Sequence, residues 1–473
     1  MPPSQHHVTC ALEHFRCAVA ALCFHESIAS PFKVTMRWLC IATPTTKLKR
    51  RPFKSAPTAY WLRSPFSSAP RSVLVRLRLL VSMSGKETVG KLMMEMKRQR
   101  SNRRHRKEMD CFHELPDCVL LHIMEFMDTK YAVQTCVLSK RWKDLWKQLT
   151  SLNFNTACFD RVADFNTFVS RVLSGRDGSI SLLNLDFTRR GNAEPRLLNR
   201  VMKYAALHNV QELTIFINIL VFRPSFDFRP FIFSCRSLTF LRLFIGSNYP
   251  SVILLPKSLQ LPAIKTLELE GFTFTANGNE CAEPFSTCNI MNTLILLACS
   301  LHSDAKFLNI SNSSLTNLTI RATFVAGAYN IALSTPNLSS LAISGRLSHQ
   351  FPSFSSSCNL TFLDEVTIDV DFYHTYFQDS PGLFIINWLQ MLSNVKILIL
   401  NWMTLEIILN EISHPVSASV QPPCFVRLKS LNLKVKHQSI TNISDKYINR
   451  VVEYLLQNSP RSRIDILIDE SDM

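Results

Sequence analysis

Cysteine and histidine are the side chains in this sequence best equipped for metal or nucleophilic chemistry, and their spacing is wrong for either. There are 14 cysteines and 13 histidines among 473 residues. A zinc site needs close pairs of ligands, because one turn of chain must present two of them to a single ion. No two cysteines have only two residues between them; in the C-terminal body Cys281 and Cys288 come nearest, with six between. Buried free thiols are therefore expected, and no metal ligand or cofactor. The sequence also lacks H-E-x-x-H, G-x-S-x-G and a phosphate loop, and its 11 glycines are too few to suggest nucleotide-binding turns. No residue is expected to be catalytic, so the protein is expected not to be an enzyme. No run of 18 apolar residues occurs, which predicts no membrane-spanning helix and no membrane partner.

The net charge of +16 invites a nucleic-acid reading until it is divided along the chain. Residues 1–107 hold 21 Lys and Arg against 4 Asp and Glu, a net of +17, and residues 108–473 hold 31 against 32, a net of −1. The basic excess belongs to the N-terminal quarter, and the remainder is not expected to bind nucleic acid. With 47% hydrophobic and 19% charged residues the chain is composed to fold. Residues 1–85 contain two acidic residues, Glu13 and Glu26. That composition fits a transit peptide, a disordered basic arm, or sequence foreign to the functional protein; the last is the expectation for residues 1–95, within a basic, disordered or non-native extension over 1–109. The basic cluster at 97–107 fits a nuclear localisation signal or a solvated tail. Without a convincing secretory signal, nucleus or cytoplasm is expected, with organelle import only if residues 1–85 are a genuine transit peptide.

The elements that could position functional side chains begin at residue 110. Pro116, after Leu115, suits the first turn of a helix. Leu120, Ile123, Met124 and Met127 recur at spacings of three and four, which marks one helix face, and Val119 and Phe126 add a second apolar edge. On periodicity alone this is the first core helix of a larger domain. The stretch Thr135 to Trp146 then places Trp142 and Trp146 around a Leu-Ser-Lys-Arg step, with more apolar side chains than one face can hide. Such anchors are typically buried by a partner.

The order Leu115-Pro116-Asp117, apolar helix, Val137-Leu138-Ser139-Lys140-Arg141-Trp142, Leu145-Trp146 resembles an F-box, most closely those of plant F-box proteins with leucine-rich repeats. The resemblance implies an F-box over 110–154 that docks a Skp-type adaptor and, through it, a cullin. The residues it implies for docking are Leu115, Pro116, Leu120, Ile123, Val137, Leu138, Ser139 and Trp142, with Phe126 and Trp146 packing the module's own core.

From residue 182 one pattern recurs: apolar, two residues, apolar, one residue, apolar. Eleven instances begin at Leu182, Val210, Leu238, Ile264, Met291, Leu315, Leu338, Leu363, Val395, Leu428 and, imperfectly, Arg463. A period near 26 residues with this signature is that of leucine-rich repeats. The expected fold is α/β: a small helical module, a linker or first helical cap over 155–181, and a horseshoe-shaped solenoid of about eleven degenerate repeats over 182–421 and 422–473. The last three spacings, 32, 33 and 35, leave room for helices such as Leu383 to Leu392 and Tyr447 to Leu456. Residues 422–436 resemble the FBD region that often ends plant F-box repeat proteins.

Register places the residues flanking the central apolar pair on the open strand face, among them Asp186, Thr188, Ile295, Leu297, Asp369 and Asn401. The candidates for binding a target protein are Phe216, Arg242, Phe244, Glu268, Glu270 and Arg321. Mixed charge and exposed aromatics favour a protein ligand over a polyanion. The function implied is a substrate receptor of an SCF-type ubiquitin ligase. A repeat scaffold acting outside a ligase, or an organelle-imported interaction protein, are the alternatives.

Overall fold

A computed structural model describes residues 115–191, 195–219, 230–247, 253–322, 330–346, 353–354, 363–371, 381–413, 421–436, 445–459 and 462–469. The chain divides into two units, Met1–Leu115 and Pro116–Met473, and every described residue except Leu115 lies in the second. The basic extension of 1–109, its cluster at 97–107 and the first residues of the 110–154 module lie outside the described residues.

Helix α1 (Asp117–Glu125) starts on Pro116, whose φ of −59° and carbonyl, accepting from Val119 N at 3.0 Å, set the first turn. Leu120, Ile123 and Met124 bury one face, as their spacing requires. Helix α2 (Thr129–Gln134), a 3₁₀ turn (Thr135–Val137) and a second (Leu145–Gln148) complete the helical part, with Tyr131, Trp142, Leu145 and Leu149 buried against it.

The segment expected to close the helical module is a strand. β1 (Ser151–Asn155) pairs in parallel with β2 (Asn184–Arg190), Leu152 beside Leu185 and Phe154 beside Phe187. Leu149, Leu152 and Phe154 carry the repeat pattern one step before the first of the eleven instances. The segment 155–181, expected as a linker or first helical cap, contains helix α3 (Val162–Gly175), which buries Phe165, Val169, Val172 and Leu173.

Each of the eleven instances supplies the next strand: β2, β3 (Glu212–Ile219), β4 (Phe240–Ser247), β6 (Thr266–Glu270), β9 (Thr293–Leu297), β12 (Asn317–Ala322), β14 (Ser340–Arg346), β16 (Glu365–Asp371), β17 (Ile397–Asn401), β18 (Ser430–Lys436) and β19 (Arg463–Asp469). With β1 they form one twelve-stranded parallel sheet in chain order. Two ladders of apolar side chains cross it. Leu213, Leu241, Leu267, Leu294, Leu318, Leu341, Val366, Leu398 and Leu431 are successive partners in one, and Ile215, Leu243, Leu269, Leu296, Ile320, Ile343, Ile368, Leu400 and Leu433 in the other. All are buried, because alternate side chains of a strand share one face.

The return segments follow the spacing. Where 32 to 35 residues separate instances, helices return the chain: α5 (Pro381–Met391), α6 (Trp402–Ser413) and α7 (Asp445–Leu456). α4 (Pro195–Leu207) does so between β2 and β3. The closer-spaced middle uses short parallel strands: β5 (Ile253–Leu254), β7 (Phe272–Phe274) and β10 (Ser300–Leu301) in one sheet, and β8 (Cys281–Ala282), β11 (Phe307–Ser311), β13 (Asn330–Ser334) and β15 (Ser353–Phe354) in another. A helix rises about half as far per residue as a strand, so a short return must be extended.

Candidate functional site

The helical module exposes apolar side chains at both ends of α1. Pro116 and Cys118 are exposed at its start, Phe126 is 59% exposed at its end, and Val137 is 60% exposed on the turn after α2. An ion pair between Arg141 and Asp117, Nε to Oδ1 at 2.7 Å, holds the turn preceding Trp142 against the start of α1. Of the residues expected to dock a partner, Pro116 and Val137 are exposed, and Leu115, Leu138 and Ser139 are half-buried. Leu120, Ile123 and Trp142 are buried within this chain and present little free surface. Phe126 is not in the core, contrary to expectation: it is the residue after the last turn of α1, where its ring makes a T-shaped contact with His122, at 5.0 Å between centroids.

Trp146 is half-buried and its indole reaches a helix beyond the helical module. A Cβ on Gly175 would sit 3.2 Å from its Cη2, so the indole lies on the end of α3. Beside it Arg176 is buried and donates from Nε to the Leu149 carbonyl (2.8 Å), from Nη1 to the Ile180 carbonyl (2.9 Å) and the Tyr204 hydroxyl (3.2 Å), and from Nη2 to the Ser181 carbonyl (3.0 Å). One guanidinium thus ties the end of the helical module to α4. Asn153 N also donates to the buried Thr129 hydroxyl at 2.7 Å, joining β1 to the start of α2. No sequence pattern marked Arg176, since its acceptors are carbonyls that only the fold assembles.

The open face of the main sheet carries the second candidate. One row across the strands runs Asp186, Thr214, Arg242, Glu268, Ile295, and its neighbour runs Thr188, Phe216, Phe244, Glu270, Leu297, Arg321. Phe216, Arg242, Phe244, Glu268 and Glu270 are half-buried on three adjacent strands, and Arg321 is exposed two strands beyond Glu270. The two phenyl rings stack, 4.0 Å between centroids and 11° between planes. Arg242 forms an ion pair with Glu268. Burial pushes the Asp186 carboxyl up, opposed by a hydrogen bond from Thr214 and by Arg242. Burial also pushes Glu270 up, to about 7, with Arg321 opposing. Among the described residues no donor lies within hydrogen-bonding distance of the Glu270 carboxylate. Asp369 and Asn401 have structural work instead: Asn401 donates to Asp369 Oδ1 at 2.5 Å and accepts from Thr404 N at 2.8 Å, capping α6.

The described cysteines are free thiols, and burial pushes Cys158 and Cys299 up to about 12 and Cys288 to about 11. Thiols so rarely ionised make poor nucleophiles. Among the described residues no group of three or more His, Cys, Asp or Glu could hold a metal ion, and no helix is long and apolar enough to cross a membrane.

Residues 112–153 match the F-box domain family, and residues 198–409 match the family described as FBD-associated F-box protein At5g56370, LRR repeats. Among curated proteins the chain is 27% identical over 316 residues to the F-box/FBD/LRR-repeat protein At5g18770 of Arabidopsis thaliana, covering 63% of this chain and 62% of that one. It is 29% identical over 316 residues to the putative F-box protein At3g44060 of the same plant, covering 63% and 68%. To the putative F-box/FBD/LRR-repeat protein At1g66300 it is 27% identical over 264 residues, covering 53% and 54%. The matched regions thus span between about half and about two thirds of these relatives. An F-box followed by a leucine-rich-repeat region is the organisation of this chain.

Proposed function

We propose that this homologue of the plant F-box/LRR-repeat proteins is the substrate-recognition subunit of an SCF-type ubiquitin ligase. The observation that carries the reading is the F-box match over 112–153, since F-box proteins generally act in such ligases. In this reading a Skp-type adaptor covers the exposed Pro116, Phe126 and Val137 together with Leu115, Leu138 and Ser139. Leu120, Ile123 and Trp142 contribute from inside, by fixing the turn and helix that display those residues. The repeats form a curved solenoid of about eleven degenerate units continuing from β1, with the open strand face turned to a target protein.

The subunit does no chemistry. It holds the target close to a ubiquitin carrier borne by the cullin side of the complex, where a well-matched tether gives effective concentrations on the order of millimolar. The compartment that fits is nucleus or cytoplasm. Co-expression of the full chain with a Skp-type adaptor tests the reading. A stable complex is expected, lost when Leu115 and Pro116 are both replaced by alanine while the repeats keep a cooperative melt. Undiminished binding by that variant would show that these residues do not dock.

A further inference from the structure

We infer that the strand face at Glu270 receives a lysine or arginine side chain of the target protein, its cation lying between the free face of Phe244 and the Glu270 carboxylate. This rests on the reading that the repeats bind a target, and names the chemistry they select. Neighbouring strands are about 4.8 Å apart, and the rings of Phe216 and Phe244 stack at 4.0 Å and 11°. Their normals therefore run across the strands. One face of Phe244 is covered by Phe216, and the other turns toward β6, where its register partner is Glu270.

Glu270 is half-buried, with Leu297 beside it on β9, and among the described residues nothing donates to it. A ligand that covered this carboxylate with apolar surface would leave it buried and unpaired, which is costly. An anionic ligand would meet the same carboxylate, and Arg242 on the neighbouring strand is already paired with Glu268. Arg321 is exposed and two strands away, roughly 10 Å. A metal ion would find one carboxylate where hard cations take six or more oxygens. A side-chain cation on a π face, hydrogen-bonded to a carboxylate, satisfies both groups at once.

The probe is a phage-displayed random peptide library, panned on the immobilised full chain. Enriched clones are expected to carry Lys or Arg at a fixed position. Their binding is expected to fall about ten-fold or more on Glu270→Gln and Phe244→Ala chains, with the near-isosteric Glu270→Gln chain still melting cooperatively. No enrichment, clones without a fixed basic residue, or equal binding to the Glu270→Gln chain would overturn the inference. Adaptor binding is measured on the same preparations. A chain that takes the adaptor but no basic clones defeats this inference alone, and one that takes basic clones but no adaptor defeats the ligase reading alone.

Discussion

Glu270 should cost the fold stability that its recognition role requires. Its carboxyl titrates near 7 in the folded chain against an ordinary 4.5, so the folded state holds the proton more tightly than the unfolded state. Stability from this group is then greatest below pH 4.5 and declines as pH rises through about 7. The charged groups around it are Arg321, the Arg242–Glu268 pair and Asp186, and all are unchanged when Glu270 alone is replaced. Discounted for the solvent that screens a half-buried carboxylate, Glu270→Gln should therefore stabilise the chain by about 2 kcal/mol at pH 8, and by progressively less as pH falls toward 4.5. Paired thermal melts across this range check it; equal gains at both ends would contradict it. Phe216→Ala with Phe244→Ala should cost about 1 kcal/mol beyond the lost burial, for the broken stack, yet keep a cooperative melt and adaptor binding while losing target ubiquitination. Register alone brought these six candidates to one face, because alternation is a property of any strand. That Arg242 pairs with Glu268, while Glu270 accepts no hydrogen bond among the described residues and feels only the more distant Arg321, depends on which rotamers neighbouring strands allow, and the sequence is silent on it.

At the scale of elements, two positions hold the arrangement. Arg176 donates to four carbonyls and a hydroxyl from a buried site, so Arg176→Ala removes the donor from all of them. It should destabilise by about 3–5 kcal/mol, by analogy with breaking other buried charged networks, read as a shift in urea midpoint. Gly271 turns the chain from β6 to β7 with φ +80°, and a Cβ there would lie 2.4 Å from the Ile245 carbonyl oxygen. Gly271→Ala should thus cost about 2 kcal/mol or more and misplace Glu270 just before it. Ala298 makes the corresponding turn after β9 at φ +50°, without glycine, so composition could not have marked this corner. The helices expected near 383–392 and 447–456 appear as α5 and α7, since long spacings require them. β1 escaped notice because Leu149, Leu152 and Phe154 had already been assigned to the helical module.

Over the whole molecule, the apolar ladders were legible because one unit cannot bury its face alone and must repeat its pattern to be covered. Among the described residues the ladders are least covered on β19, where Ile464 and Ile466, partners of Leu431 and Leu433, are 45% and 57% exposed. Charging that end, by Ile466→Lys, should cost far less than the same change at Leu433, which is buried. The measurement that bears most directly on the central claim is the affinity of the full chain for a Skp-type adaptor, by calorimetry, with Pro116→Ala and Val137→Asp combined as the comparison. A one-to-one complex, abolished in that variant while its thermal melt is preserved, is the predicted result. A folded full chain that takes no adaptor, or a variant that binds it as tightly as the parent, would contradict the account.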